Sequence, residues 1–207
     1  MILNLGDWFH SDNQQNRTAR SGAALDVDTR WAKVMRAGRD TMIDCIERAQ
    51  MKHKKVLVKN IIGNHDDHTS QMLSLILEAY YSDNDRVTVD ISPSKFWYHQ
   101  FGSVLLGSTH GDTVKPAALP EIMAADVPEM WGATEYRHWH GGHVHHDQAK
   151  EFRGCTFESH RTLAAKDSWH SEHGYRSGRS LKSITYHTKY GEIERHNIGL
   201  KQLRETS

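Results

Sequence analysis

Val56-Leu57-Val58-Lys59-Asn60-Ile61-Ile62-Gly63-Asn64-His65-Asp66 decides how this chain is read. The β-branched run through Ile62 has the composition of a buried strand, and Gly63 ends it. Directly beyond stand an amide, an imidazole and a carboxylate. Open α/β sheets gather their ligands in the loops just past strand ends. The N-terminus has the same form, with apolar residues 2–6 ending in Gly6-Asp7. Two further blocks follow in order, His110-Gly111-Asp112 and Gly142-His143-Val144-His145.

Around these blocks the periodicity is coarse but readable. Residues 11–30 are polar and rich in Asn, Gln and Ser, which predicts a long loop, and loops of that length are usually functional. From Asp28 to Lys52, apolar residues recur at Trp31, Val34, Met35, Met42, Ile46 and Ala49, the spacing of one helix face. Asp28 or Thr29 could cap its start. A second helix is predicted over Thr69–Tyr81, with Met72, Leu75, Ile76 and Ala79 on one face. Strands are expected at Arg86–Ile91, Phe96–Phe101 and Val104–Ser108, with Gly102 as a turn. A short helix at Pro116–Ala125 precedes strands at Ala149–Phe152 and Thr156–His160. A hairpin Ser183–His187/Glu192–Ile198, turning at Tyr190-Gly191, ends the pattern. Strand–helix alternation followed mostly by strands predicts a layered α/β sandwich flanked by helices, as one domain over residues 1–207.

Composition bounds the function. The 207 residues carry 26 basic and 26 acidic side chains, so no net field draws the chain to nucleic acid or membrane. The two cysteines, Cys45 and Cys155, form no CxxC pair and read as reduced, buried packing residues of a cytoplasmic protein. No apolar run is long enough for a membrane span, and the first five residues lack the basic start of a signal peptide. Histidine, at 16 copies, is the outlier, and it is the commonest metal ligand. Asp7 and Asn64 offer oxygen, while His110, His143 and His145 offer nitrogen. Such a mixed set favours Mn²⁺, Fe²⁺, Zn²⁺ or Ni²⁺ over Ca²⁺ or Mg²⁺. Gly6, Gly63 and Gly142 would let the backbone turn sharply beside a metal.

These four blocks, in this order over residues 2–146, resemble the calcineurin-like metallophosphoesterases. Gly6-Asp7-Trp8-Phe9-His10 is most similar to the Mre11-type nuclease branch, in which a histidine closes that block. Asp26–Trp31 and Asp167-Ser168-Trp169-His170 resemble phage and prophage members. The resemblance implies a two-metal phosphoester hydrolase, with Mn²⁺ foremost. Asp7 would bridge the metals, Asn64, His110 and His143 would complete the second site, and His145 would serve the first. His65 would protonate the leaving oxygen or steady the phosphoryl charge, Asp66 would orient His65, and His10 would touch the substrate phosphate.

One family block, Asp-x-His ahead of Gly-Asp, is absent, which leaves the first site with only Asp7 and His145. Three explanations compete: an N-terminally shortened form of a longer protein, which is favoured; a natural one-metal variant; or replacement by His10, Asp12, Asp66, His146, Asp167 or His170. The second site is expected to bind metal better than the first. A missing first strand would leave a sheet edge that a partner copy could cover.

Arg17, Arg20 and Arg30, in or beside the long loop, are candidates to hold a phosphate backbone, with Arg176, Arg179 and Lys182 weaker ones. Asp167 and His170 share a helical-turn spacing and divide evenly between a capped turn and a substrate role. His138, His140 and His146 read as exposed residues or as supports for the ligands. Asp112 would position His110. Trp131, Trp139 and Trp169 read as core before they read as base-stacking platforms. The expected substrate is a phosphodiester of DNA or RNA, then a small nucleotide or phosphomonoester. A metal-binding module without catalysis is the other class.

Overall fold

The run that opens at Val56 forms β2 (Val56–Asn60), the middle strand of a three-stranded parallel sheet with β1 (Ile2–Asn4) and β3 (Val87–Asp90). The register pairs Ile2 with Val58 and Val56 with Val87. Parallel neighbours need long crossovers, which contain α1 (Trp31–Gln50) and α2 (Asp67–Tyr80). The computed structural model describes residues 1–15, 17, 22, 25, 30–164 and 178–205. The chain divides into two compact units, Met1–Lys95 and Phe96–Ser207.

The core of the first unit is built from Phe9, Met42, Ile46, Val56, Val58, Leu73, Leu77, Tyr81 and Val87. Helix α1 points the predicted face inward: Met42 and Ile46 are buried, and Val34, Met35 and Ala49 pack against the core. The expected capping residues Asp28 and Thr29 lie outside the described residues. Cys45 is exposed on α1, not buried as expected, because it falls off the stripe that Met42 and Ile46 define.

Helix α2 corrects the sequence reading more sharply. Met72, Leu75 and Ile76 are exposed, and Leu73, Leu77, Ser70 and Ser74 are buried. The reason is polar. Ser70 Oγ donates to Asp66 at 2.7 Å, and Asn60 Nδ2 donates to Ser74 Oγ at 3.1 Å. These bonds satisfy hydroxyls that would otherwise be costly to bury.

In the second unit, β4 (Trp97–Phe101) and β5 (Val104–Thr109) form the expected hairpin at Gly102, whose φ is +61°. A 3₁₀ turn (Pro116–Ala118), α3 (Leu119–Asp126) and α4 (Pro128–Ala133) carry the chain to β6 (Tyr136–Gly141). With β7 (Gln148–Phe152) and β8 (Cys155–Ser159), these strands make a five-stranded sheet of order β4-β5-β6-β8-β7. Strands β5, β6 and β8 run parallel, and β4 and β7 are antiparallel edges. Strand β6 escapes the sequence reading because Tyr-Arg-His-Trp-His lacks an apolar run. Trp139 is nonetheless fully buried and donates Nε1 to the Leu119 carbonyl at 3.1 Å. Strands β9 (Ser180–His187) and β10 (Gly191–Gly199) pair as the predicted hairpin, and α5 (Leu200–Glu205) follows. The architecture is mixed α/β, with sheets flanked by helices. Among the described residues no helix is long and apolar enough to cross a membrane.

Candidate functional site

In the first unit, the loops after β1 and β2 are fastened together by Asp66. Its Oδ1 accepts the amides of Asp7 and Gly63, each at 3.1 Å, and its Oδ2 accepts the amide of Phe9 at 3.1 Å and the hydroxyl of Ser70. Asp7 returns the tie, with Oδ1 accepting the His65 amide at 2.9 Å. Gly63 is required by space rather than by φ: a Cβ there would lie 2.0 Å from Asp7 Oδ1 and 2.4 Å from Asp7 N. Burial pushes the Asp66 carboxyl up to about 6, the Ser70 bond opposes that, and the nearby Asp7 charge adds to it.

Residues next to Asp7 anchor the loop on α1. The Phe9 ring fills the space a side chain at Gly38 would take, and Trp8 Nε1 donates to the Gly38 carbonyl at 3.1 Å. His65 Nδ1 lies 3.2 Å from the His10 carbonyl oxygen, and the two rings are 5.4 Å apart. A carbonyl only accepts, so Nδ1 carries the proton of this contact and Nε2 is the nitrogen that takes no part in it. The expected orienting role of Asp66 on His65 is thus taken by the His10 backbone, because the Asp66 carboxylate is spent on the loop amides.

In the second unit, His110 lies just past β5, and His143 and His145 follow β6. The Gly142 amide donates to the His110 carbonyl at 3.0 Å, and the His110 and His143 rings meet edge-on at 5.1 Å. Ser159 Oγ donates to the His146 carbonyl at 2.8 Å, and the His160 amide to the Gly141 carbonyl at 2.9 Å, so β8 supports this loop. Asp7, His143 and His145 have φ of +56°, +64° and +55°, and they are the non-glycine residues with left-handed φ among the described residues. Such backbone is costly for L residues and clusters where function requires it.

Other candidates fall elsewhere. Asp12, weighed as a replacement ligand, is a cap for α2: it accepts the amides of His68 and Thr69, at 2.9 and 2.8 Å, and the Thr69 hydroxyl at 2.8 Å. Burial alone would raise its carboxyl; the bonds from His68 and Thr69 outweigh that and hold it low. Arg17 donates to the Gly22 carbonyl at 2.7 Å, and the carbonyl of Arg30 starts α1 by accepting from Lys33 and Val34. Arg20, Asp167 and His170 lie outside the described residues. His146 donates Nδ1 to the Val144 carbonyl at 2.8 Å. His140, expected to be exposed or a support, is buried in a group with Glu158 and His160. The sequence signal for that group was the strand spacing of His138-x-His140 and Glu158-x-His160.

No family model and no curated protein matches the chain. Among solved structures, wild-type Vps29 of Entamoeba histolytica complexed with Zn²⁺ is similar at 15% identity and a TM-score of 0.34. That match covers 56% of this chain and 66% of that one, just under two thirds. A double mutant of the same Vps29 aligns at 13% identity and a TM-score of 0.39, over 97% of this chain and 99% of that one. Vps29 of Cryptosporidium parvum aligns at 14% identity and 0.37, over 96% of each chain.

Proposed function

We propose that the chain is a divalent-metal-dependent phosphoester hydrolase whose substrate is a phosphodiester of nucleic acid. The observation that carries this reading is the left-handed backbone at Asp7, His143 and His145, three positions expected on sequence grounds to ligate metal. The donor set fits a transition-metal ion. Asp7 and Asn64 supply carboxylate and amide oxygen, and His110, His143 and His145 supply imidazole nitrogen. The close approach of Asp7 to Gly63, with no room for a Cβ, is the kind of cradle such an ion needs.

A bound divalent ion supplies charge neutralisation for the phosphoryl group and acidifies water near neutral pH. The chain's own residues do the rest. His65, held through Nδ1–H on the His10 carbonyl, presents Nε2 to the reacting groups: as the imidazolium, with both nitrogens protonated, it would give the Nε2 proton to the leaving oxygen, a contribution worth about two to four orders of magnitude. Asp66 keeps the Asp7 loop in register with the Gly63 loop. The His10 ring, tilted against that of His65, would contact the substrate phosphate.

The test is hydrolysis of linear DNA, nicked DNA and a small aryl phosphodiester, each with Mn²⁺, by the wild type and by His65→Ala. Metal-dependent DNA cleavage that falls at least 100-fold in the variant supports the reading. Activity on the small ester alone removes the nucleic-acid assignment. A wild type inactive with every divalent ion, or an undiminished His65→Ala, favours a metal-binding module without catalysis.

A further inference from the structure

Strands β6 and β8 pair in parallel, with His140 opposite Glu158. Side chains two apart share a sheet face, so His138, His140, Glu158 and His160, the last just past the strand end, gather on one side. His140 Nδ1 lies 2.9 Å from His160 Nε2, and His140 Nε2 lies 2.9 Å from the hydroxyl of Tyr186 on β9. One ligand atom each from His140, Glu158 and His160 falls within 4.8 Å of the others. His138 packs on the Tyr186 ring, 5.0 Å between centroids, and its Nε2 is buried without a hydrogen-bond partner among the described residues.

We propose that His140, Glu158 and His160 form a zinc-type metal site within the second unit, separate from the phosphoesterase centre. Two nitrogens and a carboxylate are the donors of many Zn²⁺ sites, which reserve further positions for water or another ligand. Tetrahedral coordination at about 2.0–2.1 Å places two nitrogens about 3.3 Å apart. The observed pair therefore opens by about 0.4 Å to admit an ion, which takes the place of the single proton the two nitrogens otherwise share.

The surroundings suit that exchange. Metal binds the neutral imidazole. Burial holds both rings neutral: it depresses His140 to about 3 and lowers His160 despite the opposing Glu158 charge. The far nitrogen of His140 rests on Tyr186, the type of outer contact that fixes a ligand's tautomer. Glu158 is already engaged by Lys182, and by Arg195 at 2.9 and 3.2 Å. Lys182 has a second carboxylate within reach, Asp147 at 3.4 Å, so it can shift there and release Oε1. Arg195 is also held by Glu192 at 2.5 and 2.7 Å, and stays in place.

The experiment uses the full chain carrying His110→Ala and His143→Ala, which removes two imidazoles of the phosphoesterase centre. Co²⁺ is titrated with visible absorption as the readout, then displaced by Zn²⁺, with circular dichroism checking the fold. One ion per chain with nitrogen-rich tetrahedral absorption is expected, and it is lost on adding His160→Gln. Tyr186→Phe should weaken binding ~10-fold through the outer contact. Lys182→Met, which leaves the ring pair intact, should tighten it, since the ammonium competes for Oε1. No absorption in the parent, retention after His160→Gln, or unchanged affinity in Lys182→Met overturns the site. These readouts need no hydrolytic activity, so failure of the phosphoesterase reading leaves them standing.

Discussion

At His143 the backbone is held at φ +64° and the residue is exposed, so packing does not explain why a histidine stands there. A left-handed L residue is disfavoured by about 1–2 kcal/mol, and glycine relieves that cost. His143→Gly and His143→Ala both delete the imidazole, yet only the first suits the backbone. We predict that His143→Gly is more stable than His143→Ala by ~1 kcal/mol in chelator, and that both lose Mn²⁺-dependent hydrolysis. Urea melts of the pair, with activity assays alongside, check this. Equal stability would mean that the loop relaxes and the φ carries no strain. Three of the five ligand candidates stand out in sequence because a glycine precedes each: Gly6 before Asp7, Gly63 before Asn64 and Gly142 before His143. Asp12, Ser70 and Gly38 were not legible, since their meaning comes from partners far along the chain. Asp12 caps a helix whose own N-cap residue, Asp66, makes no side-chain bond to the amides of its first turn.

Helix α2 shows what periodicity can and cannot settle. Its existence follows from the apolar spacing, but two apolar stripes compete, and the serines choose between them. Ser70 and Ser74 bond to Asp66 and Asn60, which turns Leu73 and Leu77 inward and leaves Met72, Leu75 and Ile76 outside. Leu73→Ala should cost about 2–5 kcal/mol by opening the core, whereas Leu75→Ala should stay within about 0.5 kcal/mol. Chemical denaturation of both variants measures the difference. The reverse ranking would restore the face expected from sequence. Strand β6 fails for a different reason: its buried His140 bonds to His160 and Tyr186, both far along the chain, so a buried strand reads as polar. Registration of β6 with β8 creates the His140–Glu158–His160 group, and no local window of sequence contains both strands.

For the molecule as a whole, the buried imidazoles set the response to acid. Burial lowers His138, His140 and His160, the second to about 3. Below the unfolded value of about 6.5, the unfolded chain takes up protons that the folded chain refuses. Their contribution to stability is therefore complete above that pH and is lost as the pH falls. Asp66 acts oppositely: raised to about 6, it binds a proton more readily when folded, so acid favours it. A fully titrating group contributes about 1.4 kcal/mol per pH unit; burial lowers His99 as well, and these four imidazoles outweigh Asp66 and the exposed His68, which its bond to Asp12 raises. Stability in chelator should hold from pH 8 to 7 and drop between pH 6.5 and 5, with a shallower drop in His140→Phe. Thermal melts across that range test it; a flat profile in the wild type would show that these rings titrate normally.

Lys59 lies on the central strand with its side chain wholly inaccessible, its ammonium bonded to Asp90 at 2.9 Å and to the Ser92 carbonyl and hydroxyl at 2.6 and 2.8 Å. An amine-reactive reagent should therefore modify the neighbouring Lys54 and Lys55 within seconds and leave Lys59 untouched until β2 separates from β3. The time course of its acylation, read by peptide mass spectrometry, becomes a clock for opening of the parallel sheet that underlies Asp7 and Asn64. Because it follows one nitrogen atom, it requires neither a substrate nor an assay of turnover.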